Sequence, residues 1–131
     1  MTDARPPHLA ARDASHPTYN SIPGRYANRI GGARFTIDGK TYRTQANDGT
    51  NTLHSGTNNW SYRTWTISAY ANDSITFSLV DPAGASTGMP GKVEANVTYS
   101  VTKGKWNTKM MAVSPEAKTR KAPHPRRPLI L

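Results

Sequence analysis

Gly24-Arg25-Tyr26-Ala27-Asn28-Arg29-Ile30-Gly31-Gly32-Ala33-Arg34-Phe35-Thr36-Ile37-Asp38-Gly39-Lys40-Thr41-Tyr42-Arg43 is the stretch from which the rest of the chain is read. Its second half decides the fold class. Arg34-Phe35-Thr36-Ile37 alternates polar and apolar side chains, Asp38-Gly39 is a dipeptide that tight hairpins favour, and Lys40-Thr41-Tyr42-Arg43 runs back. A β-hairpin is predicted here. The first half places polar chemistry between glycines that let the backbone turn tightly. Further on, Asn51-Thr52-Leu53-His54-Ser55-Gly56 carries the one histidine outside the two tails. Asn28, Arg29 and His54 together offer neutral donors, a charged donor and a titratable nitrogen. That inventory suits a ligand covered in hydroxyl groups.

Downstream of the polar loop 45–59, every apolar pattern has a period of two. Trp65 to Tyr70 alternates, Asn72-Asp73 supplies a turn, and Ile75, Phe77 and Leu79 share one face of the next strand. Asp81-Pro82-Ala83-Gly84 is read as a turn, opening a Gly/Pro-rich loop to Gly91. The clearest strand is Val93 to Val101, with Val93, Ala95, Val97, Tyr99 and Val101 on one side and Glu94, Asn96, Thr98 and Ser100 on the other. After Lys103-Gly104, Trp106 to Val113 reads as a returning strand with Trp106, Met110 and Ala112 turned inward. No window has a helical period. The prediction is an antiparallel all-β body of six or seven strands.

Upstream, residues 1–19 contain three prolines and no periodicity and read as a flexible leader. Residues 115–131 form a basic, proline-rich tail in which Pro123, Pro125 and Pro128 oppose both helix and central strand, so it reads as disordered. The body is then 20–114. A net charge of +9 invites a nucleic-acid reading, but the charge divides unevenly: zero over 1–19, +2 over 20–102 and +7 over 103–131. The positive charge sits in the tail, without aromatics to stack on bases, so nucleic acid is not expected as a partner.

The chain has no cysteine, which excludes disulfides and thiolate metal sites. No run approaches the roughly 20 apolar residues of a membrane span, and residues 1–14 lack the apolar segment of a signal peptide. As written the chain is expected in the cytoplasm, with a secreted parent left open. No His/Asp/Glu spacing suggests a metal, and no glycine loop precedes a helix to cradle a phosphate.

These motifs, taken in order, resemble the aldose 1-epimerase (galactose mutarotase) family. The resemblance runs from Gly24–Phe35 through Ile37-Asp38-Gly39-Lys40-Thr41-Tyr42, Asn47-Asp48-Gly49 and Asn51–Gly56 to Trp60, Arg63, Trp65 and Gly88-Met89-Pro90-Gly91. It covers about residues 16–114. It implies part of a galactose-mutarotase-type β-sandwich, incomplete at this length, and it implies a hexose as ligand with no cofactor. The implied activity interconverts the α and β anomers of hexoses such as glucose and galactose. That needs an acid at the ring oxygen and a base at the C1 hydroxyl, both titrating near working pH.

Position by position, the resemblance implies that Asn28 and Arg29 hold sugar hydroxyls and that His54 lies beside the ring oxygen in an auxiliary catalytic role. Family members are more than twice this length, and their acid histidine, sugar-binding aspartate and base glutamate lie in later segments. The family pattern breaks near Lys118, and His124 sits among prolines and arginines unlike the family's catalytic motif. The chain is accordingly expected to be a fragment without the acid and base and inactive alone; the alternative is a non-catalytic carbohydrate-binding β module.

Bland readings compete at several positions. Trp65 and Trp106 lie on alternating strands and are expected in the core, whereas Trp60, in a loop, stays open between core and sugar stacking. Asp48 is expected to serve as a turn residue, and Ser55-Gly56 as a flexible link after His54.

Overall fold

The computed structural model describes residues 21–115; the leader and most of the basic tail lie outside the described residues. Eight antiparallel strands and two short 3-10 turns make up the described chain, with no α-helix among them. In order these are β1 (Arg29–Ile30), a 3-10 turn (Gly31–Ala33), β2 (Arg34–Ile37), β3 (Lys40–Arg43), β4 (Thr52–Leu53), a second 3-10 turn (Trp60–Tyr62), β5 (Thr66–Ala71), β6 (Ser74–Asp81), β7 (Val93–Thr102) and β8 (Lys105–Val113). The predicted hairpin forms as β2–β3, with Phe35 opposite Tyr42 and their rings stacked at 5.6 Å. The three long hairpin-linked strands after it join β5 in one sheet of order β5-β6-β7-β8. β1 and β4 pair separately over two residues each.

The period-two patterns set the two faces of the large sheet. Register places Leu79 opposite Ala95 and Phe77 opposite Val97, and Ala95 opposite Ala112, so these side chains share one face. The other face is polar and internally bonded: Thr76 to Thr98 at 2.9 Å, and Ser78 to Asn96 and to Ser68. Such cross-strand hydroxyl pairs add roughly 0.2–1 kcal/mol each. One end of the apolar face is closed by Trp60, which joins Leu79, Val93 and Ala95 in a buried cluster with Ile22, Trp65 and Ala112 against it.

The open question over Trp60 resolves to the core. It is buried, its ring meets Trp65 edge-on at 5.9 Å, and its indole N–H donates to Asp81. The expectation for Trp106 and Met110 is overturned. They lie on the apolar face but at its uncovered end, 68% and 63% exposed. Their alternation was genuine; what it could not report was whether a second layer reaches them. Contiguous apolar exposure of this kind favours self-association. Met110→Thr is expected to change the urea-unfolding free energy by no more than about 0.5 kcal/mol, while lowering dye binding to exposed apolar surface and light scattering.

Asp81 is also not the turn residue that the sequence indicated. It ends β6 fully buried, and four donors converge on its carboxylate. Oδ2 accepts from Arg25 Nε at 2.7 Å, Trp60 Nε1 at 2.8 Å and Ser86 Oγ at 2.6 Å, and Oδ1 accepts from Arg63 Nη1 at 2.5 Å. Arg25, itself buried, also donates to the carbonyls of Asp81, Pro82, Pro90 and Gly91. One guanidinium thus staples both ends of the 82–91 loop and fixes where the segment leading to Asn28 and Arg29 begins.

Candidate functional site

Three residues beyond Arg25, the chain reaches Asn28, whose backbone is left-handed with φ 69°. Asn tolerates this region because its short side chain is compatible with it. Across from it, His54 follows β4 with φ 52°, and Ser55 with φ 67°. For non-glycine residues these are strained conformations, which persist where surrounding contacts over-determine them. Here the contacts are reciprocal. The His54 amide donates to the Asn28 carbonyl at 3.0 Å, and the Asn28 amide donates to His54 Nδ1 at 3.1 Å. The Tyr26 amide donates to Ser55 Oγ at 2.8 Å, and Ser55 Oγ donates back to the Tyr26 carbonyl at 3.3 Å.

The Asn28–His54 contact also settles the imidazole's tautomer. An Nδ1 that accepts from an amide carries no proton, so the neutral ring holds its proton on Nε2. His54 therefore offers an N–H outward rather than a lone pair. That chemistry matches a donor to a ligand oxygen.

Arg29 stands on the next rung, with its backbone opposite Leu53 in the β1–β4 pair. Its Nε donates to Asp48 Oδ2 at 2.5 Å. Asp48 does form a turn, through a backbone bridge to Asn51, but its carboxylate has this second use that the sequence did not indicate. The adjacent Asn47 grips β4 with both halves of its amide: Leu53 N–H donates to Oδ1 at 2.7 Å and Nδ2 donates to the Leu53 carbonyl at 3.0 Å. Asn51 Oδ1 accepts from the Gly32 amide at 3.1 Å. The 47–51 loop is thus fastened to β4 just ahead of His54 and to the 3-10 turn just after Arg29.

Ser55 and Gly56 are buried, contrary to the expected flexible link. Thr87 Oγ1 donates to the Ser55 carbonyl at 2.5 Å and leaves no slack beside His54. The structure brings Asn28 and His54 into direct contact and sets Arg29 beside them. Among the described residues, the Asn28 carboxamide, the Arg29 Nη groups and His54 Nε2 have no partner. Asn28 and Arg29 are exposed, so the group forms an open surface. Two cavities lie elsewhere, one of about 470 Å³ beside Arg63, Thr66 and Val80 and one of about 250 Å³ beside Ile75, Tyr99 and Trp106. Among the described residues, no three His, Asp or Glu side chains gather where a metal ion would bind, and no helix is long and apolar enough to cross a membrane.

Comparison with known proteins adds to this geometry. The sequence pattern of the aldose 1-epimerase family matches residues 7–121, a longer span than the motifs alone delimit. A probable aldose 1-epimerase of Arthroderma benhamiae is 44% identical over 89 residues, covering 66% of this chain and 20% of that protein. A galactose mutarotase of Sus scrofa is 40% identical over 89 residues, 68% of this chain and 25% of that protein. Among solved structures, a GalM/aldose epimerase homologue from C. elegans superposes with a TM-score of 0.65 at 34% identity, over 70% of this chain and 28% of that one. The chain thus spans about a fifth to a quarter of the length of these two curated relatives.

Proposed function

This chain belongs to the aldose 1-epimerase family, and we propose that its Asn28, Arg29 and His54 form one wall of a hexose site serving the interconversion of α and β anomers. The observation that carries the reading is the Asn28–His54 contact with Arg29 on the adjoining rung. It brings three residues with donors of different charge and shape to neighbouring backbone positions. Arg29 supplies a planar fork able to bridge neighbouring hydroxyls, Asn28 a neutral amide, and His54 an Nε2–H for the ring oxygen.

Mutarotation further requires a proton acceptor at the C1 hydroxyl. The carboxylate present at the described site, Asp48, is engaged by Arg29. Hexose binding without catalysis is therefore the expected behaviour of this chain by itself. NMR titration with galactose or glucose is expected to shift the Arg29 and His54 side-chain signals. Arg29→Ala should weaken binding about tenfold or more, the loss typical of a hydrogen bond from a charged group, and His54→Ala should weaken it less. Polarimetry of freshly dissolved α-galactose should run at the buffer rate. A clear acceleration would show that the chain holds a base after all. Unshifted spectra at millimolar hexose would remove the site assignment.

A further inference from the structure

The Arg29–Asp48 contact asks for an explanation that stability does not give. The two side chains are 55% and 36% exposed, and ion pairs so open to water contribute little to folding. Yet the carboxylate is not free to wander. Its backbone is bridged to Asn51, the Asn51 side chain is tied to Gly32, and neighbouring Asn47 is tied to Leu53. The loop presents Oδ2 to one hydrogen of Arg29, the one on Nε, and leaves both Nη groups without a partner among the described residues.

Two consequences follow. The fork is held in one orientation, which lowers the ordering cost of meeting two hydroxyl oxygens at once. The pair is also neutral overall, so an incoming phosphate at the fork meets a fixed carboxylate, and repulsion of the wrong ligand is one way a site gains specificity. We propose that Asp48 is a positioning and charge-selecting residue: it aims the Arg29 fork at sugar hydroxyls and makes the site accept a neutral hexose while rejecting a phosphorylated one. This inference rests on the hexose reading of the site for its first half and on Arg29 electrostatics alone for its second.

The test is NMR titration of the full 131-residue chain and its variants with galactose and, separately, with inorganic phosphate at matched pH and ionic strength. In the unsubstituted chain galactose should shift the Arg29 signals and phosphate should not. Asp48→Asn keeps the backbone bridge to Asn51, so the loop and the dispersion of the spectrum should survive. In this variant galactose should bind about 3–10-fold more weakly. Phosphate should now bind at Arg29 at least about tenfold more tightly than before, an affinity that falls as salt rises. Asp48→Glu should restore galactose binding in part and again reject phosphate. Asp48→Asn combined with Arg29→Ala should lose the phosphate site although Arg34, which follows in β2, is still present. Unchanged affinities for both ligands in Asp48→Asn, or equal phosphate binding before and after the substitution, overturn the proposal. Phosphate gained by Asp48→Asn in a chain that never responds to galactose would overturn the hexose reading and leave the charge selection standing.

Discussion

Asp81→Ala is expected to leave the chain largely unfolded in buffer. The substitution removes the acceptor of two arginines, one indole and one hydroxyl, and strands the Arg25 charge at a site that is 3% exposed. Breaking a buried ion pair by deleting one partner costs about 3–5 kcal/mol. Whole domains are stable by only about 5–15 kcal/mol, and a body with an uncovered apolar face belongs near the lower end. Asp81→Asn should do less harm. Its amide oxygen can keep the acceptor role on one side, but its NH2 then faces an arginine donor on the other.

Acid should act on the same carboxylate. Burial by itself would raise the Asp81 pKa; hydrogen bonds from Ser86, Trp60 and Arg25, with the Arg25 charge, outweigh it and hold the value below the usual aspartate range. A folded-state pKa below the unfolded one, about 3.9, stabilises the fold fully above the unfolded value. That contribution is lost as pH falls through the folded value. Urea midpoints measured downward from neutral pH should therefore drop below about pH 4, with a smaller drop in Asp81→Asn. Equal acid sensitivity in the two chains would remove Asp81 as the cause.

The reach of the sequence can be judged from the same residues. β2–β3 and β5 to β8 were legible because two-residue turns and period-two patterning are local signals. β1 and β4 were not, since two residues cannot display a period. Asn28, Arg29 and His54 were singled out by motif, and the backbone pairing beside them runs through that invisible pair. Asp81 and Asp48 were missed because their partners lie 56 and 19 positions away, Arg25 and Arg29 respectively. A carboxylate beside Pro or Gly looks like a turn former whatever it does in three dimensions. Trp106 was misplaced for the opposite reason: its local pattern was right, and burial depends on what lies above it.

Gly88→Ala is expected to be strongly destabilising, and Gly84→Ala, four residues earlier in the same loop, is the control that explains why. Both glycines are left-handed, with φ of 98° and 77°, so each substitution carries a strain of about 1–2 kcal/mol. They differ in surroundings. A Cβ at Gly84 meets nothing within 4 Å, whereas a Cβ at Gly88 would lie 2.2 Å from the Arg43 carbonyl oxygen and 3.1 Å from Thr44 Cα. That obstacle is backbone, at the end of β3, and cannot rotate away.

The 82–91 loop would have to lift, and overpacking of this kind adds about 1–3 kcal/mol. Thr87 would lift with it, losing its bonds to Ser55 and to the Gln45 amide. The damage should therefore extend to the site. Gly88→Ala should lose about 2–5 kcal/mol of urea stability by the sum of these two effects, and its His54 signals should shift without any ligand present. Gly84→Ala should lose only the strain, with His54 unmoved. Equal losses from the two substitutions would mean that the loop yields at Arg43 without cost, and that its latch onto Ser55 does not hold the histidine in place.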